Sequence, residues 1–254
     1  MDHVDPNLPR NDFGWYSHRT GKQMPIVQYG TSGHPLLLLP TAQSDLYDCE
    51  RFLLIRSIQH HIFAGRVTVF SINSVNADAW MNDKVPVPVA ARRQAGYSAY
   101  VEQEVVPHIR RCVGDANARI GITGASFGAF HAANLFFRRP DVFDTLVAMS
   151  GFYDLIPSYT QGLMSDDIYF NNPMSYIPNI SDPGVLDIIK NHTQIHIVSG
   201  QGAYEAPNAS RRFSSALWAK GIWNNLDLWG HDMRHDWPTW HRMLDFYISE
   251  KLGW

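Results

Sequence analysis

No apolar run in this 254-residue sequence is long enough to cross a bilayer. The longest, residues 36–39 between Pro35 and Pro40, falls far short of the roughly 20 residues that a spanning helix needs, so no membrane span is expected. Cysteine is scarce. Cys49 and Cys112 form no CxxC pair, which removes both a zinc ribbon and a disulfide framework and leaves two thiols. An excess of one charge is also missing, because 21 Lys and Arg face 24 Asp and Glu for a net charge of −3. The basic residues cluster only in pairs such as Arg92-Arg93 and Arg110-Arg111, too sparse a footprint for nucleic acid. Residues 1–6 carry neither the basic start nor the apolar stretch of a secretory leader, which favours the cytoplasm. Repeats, low-complexity tracts and linker-like segments are absent, so residues 1–254 are expected to form a single domain.

What is present is apolar mass: 45% hydrophobic and 13% aromatic residues against 18% charged, enough for a large packed core. The first forty residues read as short extended pieces at 15–17, 24–29 and 36–39, broken by Thr20-Gly21 and Ser32-Gly33. Antiparallel strands feeding a buried one fit that pattern. From there helix-like and strand-like stretches alternate. Helices are expected at 48–61, 94–112, 127–138, 209–220 and 238–252. Strands are expected at 67–72, 119–123, 145–150, 194–199 and 224–229. Such an order predicts an α/β protein with a mostly parallel central sheet and helices on both faces. Residues 152–189, with Pro157, Pro173, Pro178 and Pro183 among many Asn, Asp and Tyr, read as a lid-like insertion that shapes a pocket.

Gly124-Ala125-Ser126-Phe127-Gly128 matches G-x-S-x-G and lies between an apolar strand and an apolar helix, the context in which that motif exposes a nucleophilic serine. The tight turn strains the serine backbone, and the flanking glycines let strand and helix approach closely. A serine hydroxyl is a weak nucleophile at neutral pH, so Ser126 requires a histidine base and an acid to orient it. Chain order in this arrangement runs serine, acid, histidine. Glu205, in the loop after the strand at 194–199, is the preferred acid, with Asp154, Asp227, Asp232 and Asp236 as alternatives. His231 and His235 compete for the base. Pro238 suits the first turn of a helix and leaves His235 in the loop just before it, which favours His235.

These residues resemble a known family. Gly-Ala-Ser-Phe-Gly-Ala, the loop Ser-Gly-Gln-Gly-x-Tyr-Glu, and above all Trp229-Gly-His-Asp-Met-Arg-His-Asp-Trp-Pro-x-Trp240 are similar to an esterase family of α/β-hydrolases. That family includes esterase D-like enzymes, feruloyl esterases and mycolyltransferases. The resemblance runs from about Leu36 onward and implies Ser126 as nucleophile, Glu205 as acid and His235 as base. Ala129 stands where many members carry a second glycine, and a methyl group there is a mild departure. The oxyanion donors are expected to be the backbone amides of Phe127 and, from the loop after residues 36–39, Ala42, with Gln43 second.

The implied activity is that of a serine carboxylic ester hydrolase on small-molecule esters of short or medium acyl chains, working without a cofactor or a catalytic metal. His231-Asp232-x-x-His235 has the spacing of a zinc pair, but Pro238 makes the stretch a loop rather than the helix such a pair needs. His60-His61 reads as a solvated helix end. Two other activities fit the same residues: an acyltransferase sharing the acyl-enzyme, and a binding protein that kept the fold. Trp80, Tyr153, Tyr159, Tyr169, Tyr176 and Trp237 are candidate pocket aromatics, each equally suited to core packing.

Overall fold

The computed structural model describes residues 4–254; the part of the leader expectation that falls on Met1 to His3 lies outside them. The chain begins with β1 (Arg10–Ser17), β2 (Lys22–Tyr29) and β3 (His34–Leu39), followed by a short α1 (Asp48–Arg51) and α2 (Leu54–Phe63). Then come β4 (Val67–Ile72), α3 (Val87–Tyr100), α4 (Val106–Val113), β5 (Ile120–Ala125), α5 (Phe127–Arg138) and β6 (Phe143–Met149). Three short helices follow, α6 (Asp166–Tyr169), α7 (Pro173–Tyr176) and α8 (Pro183–Asn191), and the chain closes with β7 (Gln194–Ser199), α9 (Pro207–Ala219), β8 (Asn225–Leu228) and α10 (Trp237–Glu250).

The eight strands form one sheet in the order β1-β2-β4-β3-β5-β6-β7-β8. β1 and β2 pair antiparallel with each other and β2 pairs antiparallel with β4, while every later pairing is parallel. Side-chain alternation splits the interior into two layers. On β3, Leu37 and Leu39 face a core shared with α3, α4, α5 and α9, whereas Leu36 and Leu38 face one shared with α2 and α10. A parallel sheet covered on both sides is buried throughout, which is why β4 and β5 are buried at every position. This is the α/β-hydrolase fold.

Several departures from the sequence expectations have local causes. The helix expected at 48–61 breaks at Phe52 and Leu53, and Leu53 adopts the left-handed conformation with φ 65°. The helix expected from Gln94 starts at Val87, since Pro86 and Pro88 suit a first turn. It then widens into a π turn at Val101–Val105 before Pro107; proline offers no amide and crowds the carbonyl four residues back. Residues 152–189 are helical rather than loop-like in three places. Ser165 and Asp182 cap α6 and α8 by accepting the amides of Ile168 and Val185, and Pro173 and Pro183 open α7 and α8. The segment is tied to the helix layer beneath it. Asn171 accepts from Ser98 (2.7 Å) and Asn134 (3.2 Å), and the Tyr176 hydroxyl donates to the Asn134 carbonyl (3.1 Å).

A second buried polar network fixes the loop after β4. The Trp80 indole N–H donates to Gln94 (3.3 Å), the Gln94 amide donates to His131 Nδ1 (3.3 Å), and His131 Nε2–H donates to Asn76 (2.8 Å). Burial pushes the His131 imidazole down to about 3, and burial aided by Lys251 pushes His196 down to about 4. Both are therefore neutral in the folded protein, while the unfolded chain takes up protons near 6.5. Protons bound preferentially by the unfolded state destabilise the fold, so stability should fall as pH drops below about 6.5 and continue falling towards 4. Urea unfolding at pH 7, 5.5 and 4.5 should give successively lower midpoints, with a shallower decline in His196→Leu; a midpoint independent of pH would contradict this account.

Candidate active site

The parallel strands end on one edge of the sheet, and the candidate residues all follow such ends. Ser126 follows β5, Ser150 follows β6, Glu205 lies beyond β7, and His235 lies beyond β8. Ser126 is the residue between β5 and α5, and its backbone sits at φ 56°, ψ −119°, a conformation an L-residue holds only where its surroundings impose it. They do so by close packing. A Cβ on Gly124 would lie 2.5 Å from the Gly128 carbonyl carbon, and one on Gly128 would lie 2.5 Å from the Leu39 oxygen and 2.9 Å from the Pro40 oxygen. The elbow therefore rests directly on the loop after β3. Ser126 is the one half-buried residue in an otherwise buried run from Ile120 to Phe137, and the first amides of α5, Phe127 among them, have no acceptor within their own helix.

Glu205 gathers four donors. Its Oε1 accepts from the Ser150 hydroxyl (2.5 Å) and the Gly200 amide (3.3 Å), and its Oε2 accepts from the Ser199 hydroxyl (3.2 Å) and His235 Nδ1 (3.5 Å). The Glu205 side chain has 0% of its surface exposed and that of His235 has 25%. Burial alone would raise the Glu205 carboxyl, but the hydrogen bonds from His235 and Ser150, the imidazole charge and the Gly200 amide outweigh it and hold the group below the usual carboxylate range. Glu205 is thus a buried, ionised acceptor facing an imidazole. Trp240, from α10, packs edge-on against the His235 ring (centroids 5.1 Å apart) and donates its indole N–H to Ser150 Oγ (3.1 Å). With Nδ1–H directed at Glu205, Nε2 is the basic nitrogen. Among the described residues no hydrogen bond joins His235 to the Ser126 hydroxyl.

The competing residues are engaged elsewhere. His231 is exposed, and its Nδ1 lies 3.3 Å from the Gln201 carbonyl. Asp154 binds Asn172 (2.9 Å) and the Ile156 amide (3.1 Å). Asp227 accepts from Trp229 (3.0 Å) and Tyr247 (3.3 Å). Asp236 caps α10 by accepting the Thr239 amide at 3.3 Å, which sets the helix start at Trp237, one residue ahead of Pro238. Asp232 is exposed. The sequence reading gave no role to Ser150, Ser199 or Trp240, although Ser199 and Trp240 lie within the quoted motifs; they gain meaning once Glu205 folds back onto the strand ends.

The aromatics divide. Tyr153 stacks on Phe213 in the core, and Tyr176 is buried against Asn134. Tyr169 accepts from Asn179 (3.0 Å). Trp237 stacks on Phe52 (5.0 Å) and lines a narrow crevice with Ala125, Pro40 and Thr41 beside the elbow. Trp80 and Tyr159 line a groove of about 520 Å³, and Tyr159 also packs against Phe127 (5.6 Å), the residue after Ser126. Ala42 is half-buried and packs on the α5 side of the core, while Gln43 is exposed.

A profile of the family described as "Putative esterase" matches residues 63–249, well over half the chain. The chain belongs to this esterase family. It is a serine esterase by class, and its fold is shared with solved structures of low identity. An S-formylglutathione hydrolase from Agrobacterium tumefaciens superimposes with a TM-score of 0.73 at 14% identity over 100% of this chain and 99% of that one. A ferulic acid esterase gives 0.72 at 16% identity over 95% and 96%. The fluorophosphonate-binding serine hydrolase F of Staphylococcus aureus gives 0.66 at 18% identity over 95% and 97%. No curated protein sequence matches the chain. No helix among the described residues is long and apolar enough to cross a membrane.

The contact of Gly128 with the β3 loop sets a clear expectation for this esterase. Gly128→Ala forces a methyl group into backbone oxygens that cannot yield, so it should lower stability by about 1–3 kcal/mol in urea unfolding. A Gly128→Ala variant as stable as the parent would mean that the elbow is not held by this approach.

Proposed function

We propose that the protein hydrolyses carboxylic esters through an acyl-enzyme on Ser126, with His235 as proton shuttle and Glu205 as the group that orients it. The observation carrying this reading is the Glu205–His235 contact on the sheet edge where the strained Ser126 turn also lies. His235 Nε2 takes the Ser126 proton as Oγ attacks the acyl carbon, and returns it to the departing alcohol. A water activated by the same nitrogen then attacks the acyl-enzyme, the Ser126–acyl bond breaks, and the acid leaves. Glu205, kept ionised by the imidazole it faces, by Ser150 and by the Gly200 amide, holds Nδ1–H and stabilises the imidazolium between these steps. The oxyanion is held by the amide of Phe127 and by one from the loop at Ala42, which packs against the elbow.

The substrates are small-molecule esters of short or medium acyl chains, and the groove of Trp80 and Tyr159 takes the part of the ester beyond the reacting carbon. Its volume lies in the range of small-molecule sites. Residues 152–189 shape that groove through Ser158, Tyr159 and Gln161, as an insertion of one domain spanning the chain.

Fluorophosphonate labelling read by intact mass, alongside turnover of nitrophenyl acetate, tests the assignment. One adduct is expected on the parent and none on Ser126→Ala. Turnover should drop by roughly 10⁴-fold or more in Ser126→Ala and His235→Ala, and by roughly 10²- to 10⁴-fold in Glu205→Gln, while His231→Ala stays near the parent. Absence of an adduct on folded parent protein would overturn the reading, and loss of turnover in His231→Ala with retention in His235→Ala would move the base to His231.

A further inference from the structure

The adjacent histidines at the end of α2 depart from the expectation of a solvated helix end. His60 remains 59% exposed, but His61 is 1% exposed beneath α10. Consecutive residues on a helix project about 100° apart, so neighbouring histidines ordinarily meet different surroundings. Here both rings turn towards one carboxylate on the facing helix. Asp245 Oδ1 lies 3.2 Å from His60 Nε2 and 3.0 Å from His61 Nε2, and the Ser249 hydroxyl lies 3.1 Å from His61 Nε2. The ring centroids are 3.9 Å apart, and the two nitrogens and the carboxylate oxygen all fall within 4.8 Å of one another.

We propose that His60, His61 and Asp245 form a zinc-binding site that staples α2 to α10 on the face of the sheet opposite α5. A tetrahedral zinc ion with bonds of roughly 2.0–2.2 Å sets its ligands roughly 3.3–3.5 Å apart, close to the nitrogen–oxygen separations found here. Two imidazoles and one carboxylate suit zinc and disfavour magnesium or calcium, which take oxygen ligands. Ser249 lies beside His61 Nε2, and His60 and Asp245 are partly exposed, so a water can complete the coordination. Arg66 adds a condition. Its NH1 lies 3.3 Å from His61 Nδ1, and since a guanidinium only donates, Nδ1 accepts and the ring proton sits on Nε2. When the Nε2 lone pair binds zinc, that proton transfers to Nδ1 and Arg66 turns away, as an exposed side chain in the turn between α2 and β4 can. Arg66 therefore competes with the ion.

The test uses the full chain freed of metal with EDTA, titrated with zinc sulfate by calorimetry and followed by thermal unfolding. One zinc per chain is expected, with Tm rising as zinc is added and no such rise with magnesium. Loss of an outer-shell partner typically weakens metal affinity 10- to 100-fold, so loss of a ligand in His60→Ala or Asp245→Asn should weaken it at least about tenfold. Arg66→Ala should bind at least as tightly as the parent. Because His60 is largely exposed, His60→Ala should remain folded, as circular dichroism would verify. No zinc-dependent rise in Tm for the parent, or undiminished affinity in His60→Ala and Asp245→Asn, would overturn the proposal, and neither result bears on Ser126 chemistry.

Discussion

The closest approach of backbone to backbone at the elbow is the constraint on which the rest depends. Gly124 meets Gly128, and Gly128 meets the carbonyls of Leu39 and Pro40, so β5, α5 and the loop after β3 are locked at distances no side chain allows. That packing holds Ser126 at a positive φ and keeps it half-exposed at the head of an otherwise buried helix. The strain is local and is offset by the core around α5, whose residues from Phe127 to Phe137 are all buried. It also brings the β3 loop next to the first turn of α5.

Around this fixed point the polar groups of the site are arranged in strand order. Ser126 donates its own amide to the Met149 carbonyl, and Ser150 donates its amide to the Val198 carbonyl, so each strand end is registered on the next. The hydroxyls of Ser150 and Ser199 then converge on Glu205 from two neighbouring strands. A carboxylate with no exposed side-chain surface would ordinarily gain a proton; here the hydrogen bonds from His235, Ser150 and the Gly200 amide, with the imidazole charge, make the ionised form the stable one. Trp240 closes the arrangement by contacting both Ser150 and the His235 ring, which couples the last helix to the loop that precedes it.

The legible part of the sequence was that governed by local rules. Alternating apolar stretches located the strands and most helices, although β1, α2 and α3 begin well away from their expected starts, and G-x-S-x-G in its strand-to-helix setting marked the elbow. Glu205 and His235, preferred for their positions after late strands and ahead of Pro238, are the acid and histidine that meet in space, whereas Asp154, Asp227 and Asp236 are bound to other partners. What local rules missed were features set by distant partners. The short helices within 152–189 read as loop because four prolines mask them. His61 read as solvated because nothing in its own helix reveals that α10 covers it. Ser150 carries no motif, and the motifs that contain Ser199 and Trp240 do not show that both side chains belong to the network around Glu205.

The sequence alone therefore determined the class of fold, the family, and the turn that carries Ser126, since glycine tolerance, hydrophobic period and the space a proline needs act within a few residues. Only the tertiary structure decided which carboxylate faces His235, what keeps Glu205 ionised, and that two adjacent histidines share Asp245 across 184 residues of chain. Those relations follow from parallel strands ending on one edge and from helices packed across a common face, which bring together groups that sequence spacing leaves far apart.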